Sequence, residues 1–228
     1  MSFLKNIFKI KFNKSKTTPE EKGSIETDLK YMEDYDFSTL CAQCMFRQGC
    51  SKENHICEKW HKNWDKSKKT FLIIDDNFGI VAIIKDIIDE LNEEGKIDLK
   101  KWNILSFQEK QAGIHLIKAL KVDKLKVDAA FIDMTYGSII RIKDRNIKIN
   151  GIHIFKFLKD INKNLKFKFY TGNVLNEYIS NNKEIIDFFK KITGEDIKNH
   201  MILKSRTTDA DLKEKVLELF QKADEWVI

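Results

Sequence analysis

Between residues 71 and 203, short apolar runs alternate with stretches of helical periodicity, and that alternation admits few folds. The runs are Phe71 to Ile74, Trp102 to Leu105, Ala129 to Ile132, Phe167 to Tyr170 and Met201 to Leu203. Phe71 to Ile74 is uninterrupted, as expected of a strand covered by helices on both faces. After it, Ile80, Ile83, Ile84, Ile87, Ile88 and Leu91 fall at helical spacing, with Gly95 beyond the helix end. Ile114, Ile117, Ala119 and Leu120 sit within a second helix, and Ile152, Phe155 and Leu158 mark a third. A longer helical region spans about 174–192. The last helix starts near Asp209 and carries Leu212, Val216, Leu219, Phe220 and Ala223 on one face. Strand and helix repeated in this way predict an α/β fold, a parallel sheet covered on both sides.

The residues after the runs carry chemistry. Asp75 and Asp76 follow the first, Asp133 the third, Thr171 the fourth and Lys204 the fifth. In an open parallel sheet, side chains at the carboxyl ends of the strands converge on one crevice, where ligands bind. Three carboxylates, a hydroxyl and an ammonium brought together suit a Mg²⁺-dependent phosphate site, because Mg²⁺ takes oxygen ligands. Singly, each residue has a plainer reading. Asp75 or Asp76 would cap the following helix, Lys204 would be a surface lysine, and Thr171-Gly172-Asn173 would be a turn.

Taken together, the acidic pair Asp75-Asp76, then Asp133, Thr171 and Lys204, each at its strand end, resemble the receiver domain of bacterial two-component response regulators over residues 70–225. Asn150-Gly151 followed by Ile152 to Leu158 is similar to the start of that family's third helix. The resemblance implies a flavodoxin-like, doubly wound, five-stranded parallel sheet. It implies that Asp133 is the phosphoacceptor, receiving a phosphoryl group from a sensor histidine kinase or phosphotransfer protein. It implies Mg²⁺ held by Asp75, Asp76, Asp133 and the backbone carbonyl of Thr135. Lys204 would pair with the aspartate or the phosphoryl group, and Thr171 would report the phosphoryl group and switch binding of a downstream protein. Such a protein is a signalling switch with possible self-dephosphorylation, not a conventional enzyme.

The chain also departs from that family. Ser205 stands where a proline usually follows the lysine, and Met134-Thr135-Tyr136-Gly137 lacks the usual loop proline. Met201 replaces the usual aromatic switch residue. An insertion over 138–149 alternates Ile139, Ile140, Ile142, Ile147 and Ile149 with polar residues around Asp144-Arg145-Asn146, which predicts a β-hairpin. These departures leave an alternative: a degenerate receiver acting as a protein-interaction module, with the cysteines as the sensing element. An aspartate-nucleophile phosphatase is excluded by pattern, since Asn77 stands where its general acid would be.

Before residue 70 the organisation differs. Residues 1–28 read as a basic, flexible tail, and 29–66 as a four-cysteine module joined through Asp65 to Lys69. The first twelve residues lack the apolar core of a signal peptide; as a short amphipathic helix they would give only weak contact with an anionic membrane surface. Cys41, Cys44, Cys50 and Cys57 form C-x2-C-x5-C-x6-C, with no cysteine elsewhere. In a reducing cytoplasm, the expected location, four close thiols point to a metal rather than disulfides. Zn²⁺ and a [4Fe–4S] cluster both fit four thiolates, and His55 or His61 could replace one cysteine at zinc. The formal charge of +6 is modest and comes mostly from Lys, which argues against nucleic acid as a partner. The chain ends at Ile228 soon after the last helix, so no DNA-binding output domain is expected.

Overall fold

The computed structural model describes residues 24–33, 65–107, 125–134, 138–142, 145–172 and 182–225. The elements in chain order are α1 (Ile25–Glu33), β1 (Lys69–Ile74), α2 (Phe78–Glu93), β2 (Trp102–Phe107), β3 (Ala129–Ile132), β4 (Ser138–Ile142), β5 (Arg145–Ile149), α3 (Gly151–Ile161), β6 (Lys166–Thr171), α4 (Lys183–Thr193), β7 (Met201–Leu203) and α5 (Asp209–Asp224). Short 3₁₀ turns, Leu99–Lys101 and Ile197–His200, lead into β2 and β7.

Five strands form one sheet in the order β2-β1-β3-β6-β7, and every pairing is parallel. With the β4–β5 hairpin set aside, this is the 2-1-3-4-5 order of the flavodoxin-like doubly wound fold. The architecture expected from the sequence is therefore the one observed. The second predicted helix, around Ile114 to Leu120, lies outside the described residues, as does the start of the region predicted over 174–192; from Lys183 that region is α4.

Side chains alternate across the sheet, as the strand period requires. Phe71 and Ile73 of β1 and Ala129 and Phe131 of β3 face one apolar cluster with Val81, Ile84 and Leu91 of α2 and Val216 and Phe220 of α5. Leu72, Ile74, Ala130 and Ile132 face the other, with Phe155 and Leu158 of α3 and Ile185 and Phe189 of α4. Phe220 stacks on Phe71 at 4.6 Å and meets the edge of Trp102 at 4.7 Å, which locks α5 onto β1 and β2. Among the described residues, no helix is long and apolar enough to cross a membrane.

The helix ends follow local chemistry. Asn77 caps α2 by accepting from the Gly79 and Ile80 amides, and Thr208 caps α5 in a reciprocal box with Asp211. Gly95 and Gly194 take φ of 69° and 76° just past α2 and α4, where a left-handed residue ends a helix.

The insertion is the predicted hairpin. Ser138 pairs with Ile149 and Ile142 with Arg145, so Arg145 and Asn146, which the sequence suggests for the turn, belong to β5. Ile147 and Ile149 are buried in the core cluster that holds α3 and α4.

One boundary needs correction. The reading of residues 1–28 as a flexible tail fails at its end, because α1 crosses residue 28 and is packed on the domain. Ile25, Leu29 and Met32 fall at i, i+4 and i+7 and are buried, although the surrounding composition is polar. At the other end of the cysteine stretch, the Asp65 amide donates to Asn103 Oδ1 at 3.0 Å, and Asn103 Nδ2 donates to the Asp65 carbonyl at 2.8 Å. The chain is thus attached to the domain on both sides of residues 34–64, which themselves lie outside the described residues together with Cys41, Cys44, Cys50 and Cys57.

Candidate functional site

The parallel register sets the level at which each side chain leaves the sheet. Ile74 pairs with Ile132, and Ile132 with Phe169, so Asp75 and Asp133 leave neighbouring strands together. The Asp133 amide donates to the Ile74 carbonyl at 2.7 Å and the Asp75 amide to the Phe107 carbonyl at 3.2 Å, which extends the ladder up to both aspartates. Both are buried; Asp76 is half-buried. One carboxylate oxygen from each of Asp75, Asp76 and Asp133 lies within 4.8 Å of the others. Neither aspartate of the pair is used as a helix cap, because Asn77 takes that place. The Asn77 amide donates to Asp75 Oδ1 at 2.9 Å instead and fixes that carboxylate.

Lys204 reaches in from the end of β7. Its Nζ lies 2.8 Å from Asp75 Oδ2 and 3.2 Å from Asp133 Oδ2. The ammonium also stands 5.3 Å from the centre of the Tyr170 ring, a cation–π neighbour that the apolar-run reading treats only as strand. Burial by itself would lower the Lys204 pKa. The hydrogen bond to Asp75 and the charges of Asp133 and Asp75 outweigh it, and the pKa stands above the ordinary lysine value. Burial raises the Asp75 pKa, against the opposing pull of Lys204 and the Asn77 amide. Ser205 in place of proline does not displace the lysine. The Lys204 amide donates to the Thr171 carbonyl at 2.8 Å, and Arg206 and Thr207 tie the following turn back to the Leu203 carbonyl.

Thr171 ends β6 opposite Leu203, fully buried. Its hydroxyl oxygen has no hydrogen-bond partner among the described residues. A buried unpartnered hydroxyl is costly and calls for an explanation, such as a bound group that completes it. Gly151 closes the other side. A Cβ there would stand 2.5 Å from the Asp133 carbonyl oxygen and 2.8 Å from Met134 Cα, so α3 starts directly against the loop after β3. Asn150 caps that helix in a reciprocal box with His153. Burial lowers the His153 pKa to about 4, so the ring is neutral near pH 7.

The site thus brings together Asp75, Asp76, Asp133 and Lys204, with Thr171 at the adjoining strand end. Thr135, whose carbonyl completes the expected Mg²⁺ set, lies outside the described residues. Asn77, Tyr170 and Gly151 are the contributors that strand-end reasoning does not assign. Asn77 is visible in sequence only as a helix-start residue, and the Gly151 contact is a tertiary approach.

The donor set fits a hard divalent cation. Two full charges at 4.8 Å repel by about 3 kcal/mol at an effective dielectric of ~20. One ammonium cannot offset three carboxylates, and the two remaining negative charges match one Mg²⁺ bound through oxygen.

No family model matches this chain, and no curated protein matches it. Several solved structures are similar. A response regulator receiver protein from Sinorhizobium medicae WSM419 is 14% identical with a TM-score of 0.43, over 70% of this chain and 99% of that one. A response regulator receiver domain protein from Clostridium thermocellum is 16% identical with a TM-score of 0.42, over 69% and 98%. A receiver domain protein from Methanospirillum hungatei JF-1 is 18% identical with a TM-score of 0.41, over 70% and 98%. These similarities are weak, and the fold assignment stands on strand order and register.

Proposed function

We propose that this chain is a phosphorylation-dependent signalling protein of the two-component type, with Asp133 as phosphoacceptor. The observation that carries the reading is the reach of Lys204, from the end of β7, to the buried Asp75 and Asp133 at the ends of the adjacent strands β1 and β3. An Asp133 carboxylate oxygen attacks the phosphorus of a phosphohistidine donor. The O–P bond forms, the P–N bond breaks, and the leaving imidazole keeps the electron pair and takes a proton from solvent. Asp75, Asp76 and Asp133 would hold Mg²⁺, with the Thr135 carbonyl as a further ligand. The ion would offset charge on the phosphoryl oxygens during in-line transfer. Lys204 exchanges part of its contact with Asp75 for the new phosphoryl oxygens. Thr171 donates its hydroxyl proton to one of them and so completes a group that has no partner among the described residues. The switch follows from that difference between loaded and unloaded states.

The donor in this reading is a histidine kinase or phosphotransfer protein, and the output is altered binding of a downstream protein in the cytoplasm. Water attacking the acyl phosphate would reset the switch, so turnover is slow and self-limited. The four cysteines belong to the same proposal as a thiolate metal centre, zinc or [4Fe–4S]. Metal analysis with a visible spectrum on anaerobically purified protein separates the two.

The test is phosphate incorporation from a small phosphodonor such as acetyl phosphate, in the presence of Mg²⁺. Wild type takes up label at one site and Asp133→Asn takes up none. Label on another aspartate in that variant rules out the assignment. Failure of the wild type to bind Mg²⁺ or take up phosphate favours the interaction-module alternative.

A further inference from the structure

Helix α1 is nine residues long. Isolated helices of that length are marginal in water, so its order depends on what it packs against. Two contacts identify that surface as α4. The Ile25 amide, one of the unpaired donors at the α1 start, donates to Glu184 Oε1 at 2.7 Å. Lys191 Nζ pairs with Glu26 Oε1 at 2.8 Å. Ile25, Leu29 and Met32 are buried in the same apolar cluster as Ile185, Phe188 and Phe189 of α4.

Helix α4 is also joined to both elements that enclose the candidate site. Phe189 stacks on Phe155 of α3 at 5.3 Å and meets Phe169 of β6 at 6.0 Å. Phe155 and Phe169 also touch each other, at 5.5 Å. Helix α3 begins at Gly151, against the Asp133 carbonyl, and β6 ends at Thr171, two residues beyond Phe169. A packed aromatic cluster therefore connects Asp133 and Thr171 to the helix on which α1 rests. Packed clusters move between discrete arrangements rather than deforming smoothly.

We infer that α1 is an internal ligand of α4, and that its docking is linked to phosphoryl occupancy at Asp133. The inference rests on the phosphoacceptor reading above. The linkage inferred is a competition: docked α1 and the loaded site favour different arrangements of this aromatic cluster, so docked α1 disfavours loading. By reciprocity, loading the site weakens the docking by the same factor. Released α1 melts and frees the α4 surface, together with the attachment of the cysteine-bearing stretch that follows Glu33. The surface so exposed suits an amphipathic helix with an acidic first turn and an apolar i, i+4, i+7 stripe, the pattern α1 itself presents.

The experiment is amide hydrogen exchange over residues 25–33 in the full chain, with Mg²⁺ alone and with Mg²⁺ plus beryllofluoride as phosphoryl mimic. Uptake of the mimic is followed by fluorine NMR. Exchange of these amides is expected to rise by roughly five-fold or more on uptake, and Asp133→Asn is expected to show no rise. Leu29→Asp should exchange fast without the mimic and bind it more tightly by a similar factor. Glu26→Lys should loosen α1 by a smaller factor, and the swapped pair Glu26→Lys with Lys191→Glu should restore protection. Uptake of the mimic with unchanged or slowed exchange at 25–33 overturns the inference and leaves the phosphoacceptor reading intact. No uptake at all overturns both.

Discussion

Gly151 is seated on Asp133: a Cβ at position 151 would stand 2.5 Å from the Asp133 carbonyl oxygen. That contact is with backbone, which cannot rotate away, so a side chain there must push α3 off the loop after β3. Gly151→Ala is expected to lose about 1–3 kcal/mol of stability in urea denaturation and to slow phosphate uptake. Gly172→Ala, where nothing lies within 4 Å, should change stability by less than about 0.5 kcal/mol. Equal stability of the two variants would refute the close approach.

The Thr171 hydroxyl is buried and unpartnered among the described residues. Thr171→Val keeps the shape and removes the polar atom. Its stability in denaturant should match wild type or exceed it by up to ~1 kcal/mol, while the output that follows phosphorylation is blunted. A clear loss of stability would show that the hydroxyl has a partner in the resting protein.

Lys204 is the only cation between Asp75 and Asp133 among the described residues. Lys204→Met leaves two buried carboxylates facing each other. The expected cost is roughly 1–3 kcal/mol, below that of a fully buried pair because the lysine side chain keeps 21% exposure. Mg²⁺ should recover part of it, which denaturation with and without the ion would measure. A variant indifferent to Mg²⁺ would count against the shared oxygen site.

Burial lowers the His153 pKa from 6.5 to about 4. Between those values the unfolded chain binds more protons than the folded one, so stability rises with pH across that window and is lost as pH falls through it. The contribution is on the order of 3 kcal/mol for a shift of that size. His153→Asn should flatten the stability profile between about pH 6.5 and 4 relative to wild type. Parallel profiles would place the ring in contact with water.

Much of the fold is legible in the sequence because strand and helix periods are local. Ala129 to Ile132 and Met201 to Leu203 coincide with β3 and β7, and the other three runs lie inside their strands. The 138–149 alternation is the observed hairpin. Helix α1 escaped the same reading because its stripe of three apolar residues is short and set in polar sequence.

The sequence by itself determined which chemistry stands at each strand end: Asp75, Asp76, Asp133, Thr171 and Lys204 each follow an apolar run whose alternation requires a parallel sheet. Tertiary structure decided how those groups meet. Strand order put β1 beside β3, and the Lys204 side chain, crossing from β7, lies closer to Asp75 than to Asp133. Helix packing brought Gly151 onto the Asp133 carbonyl and laid α1 on α4. A strand's period is set by its own backbone, whereas an approach such as that of Lys204 to Asp75, 129 positions apart, exists only once the sheet has assembled.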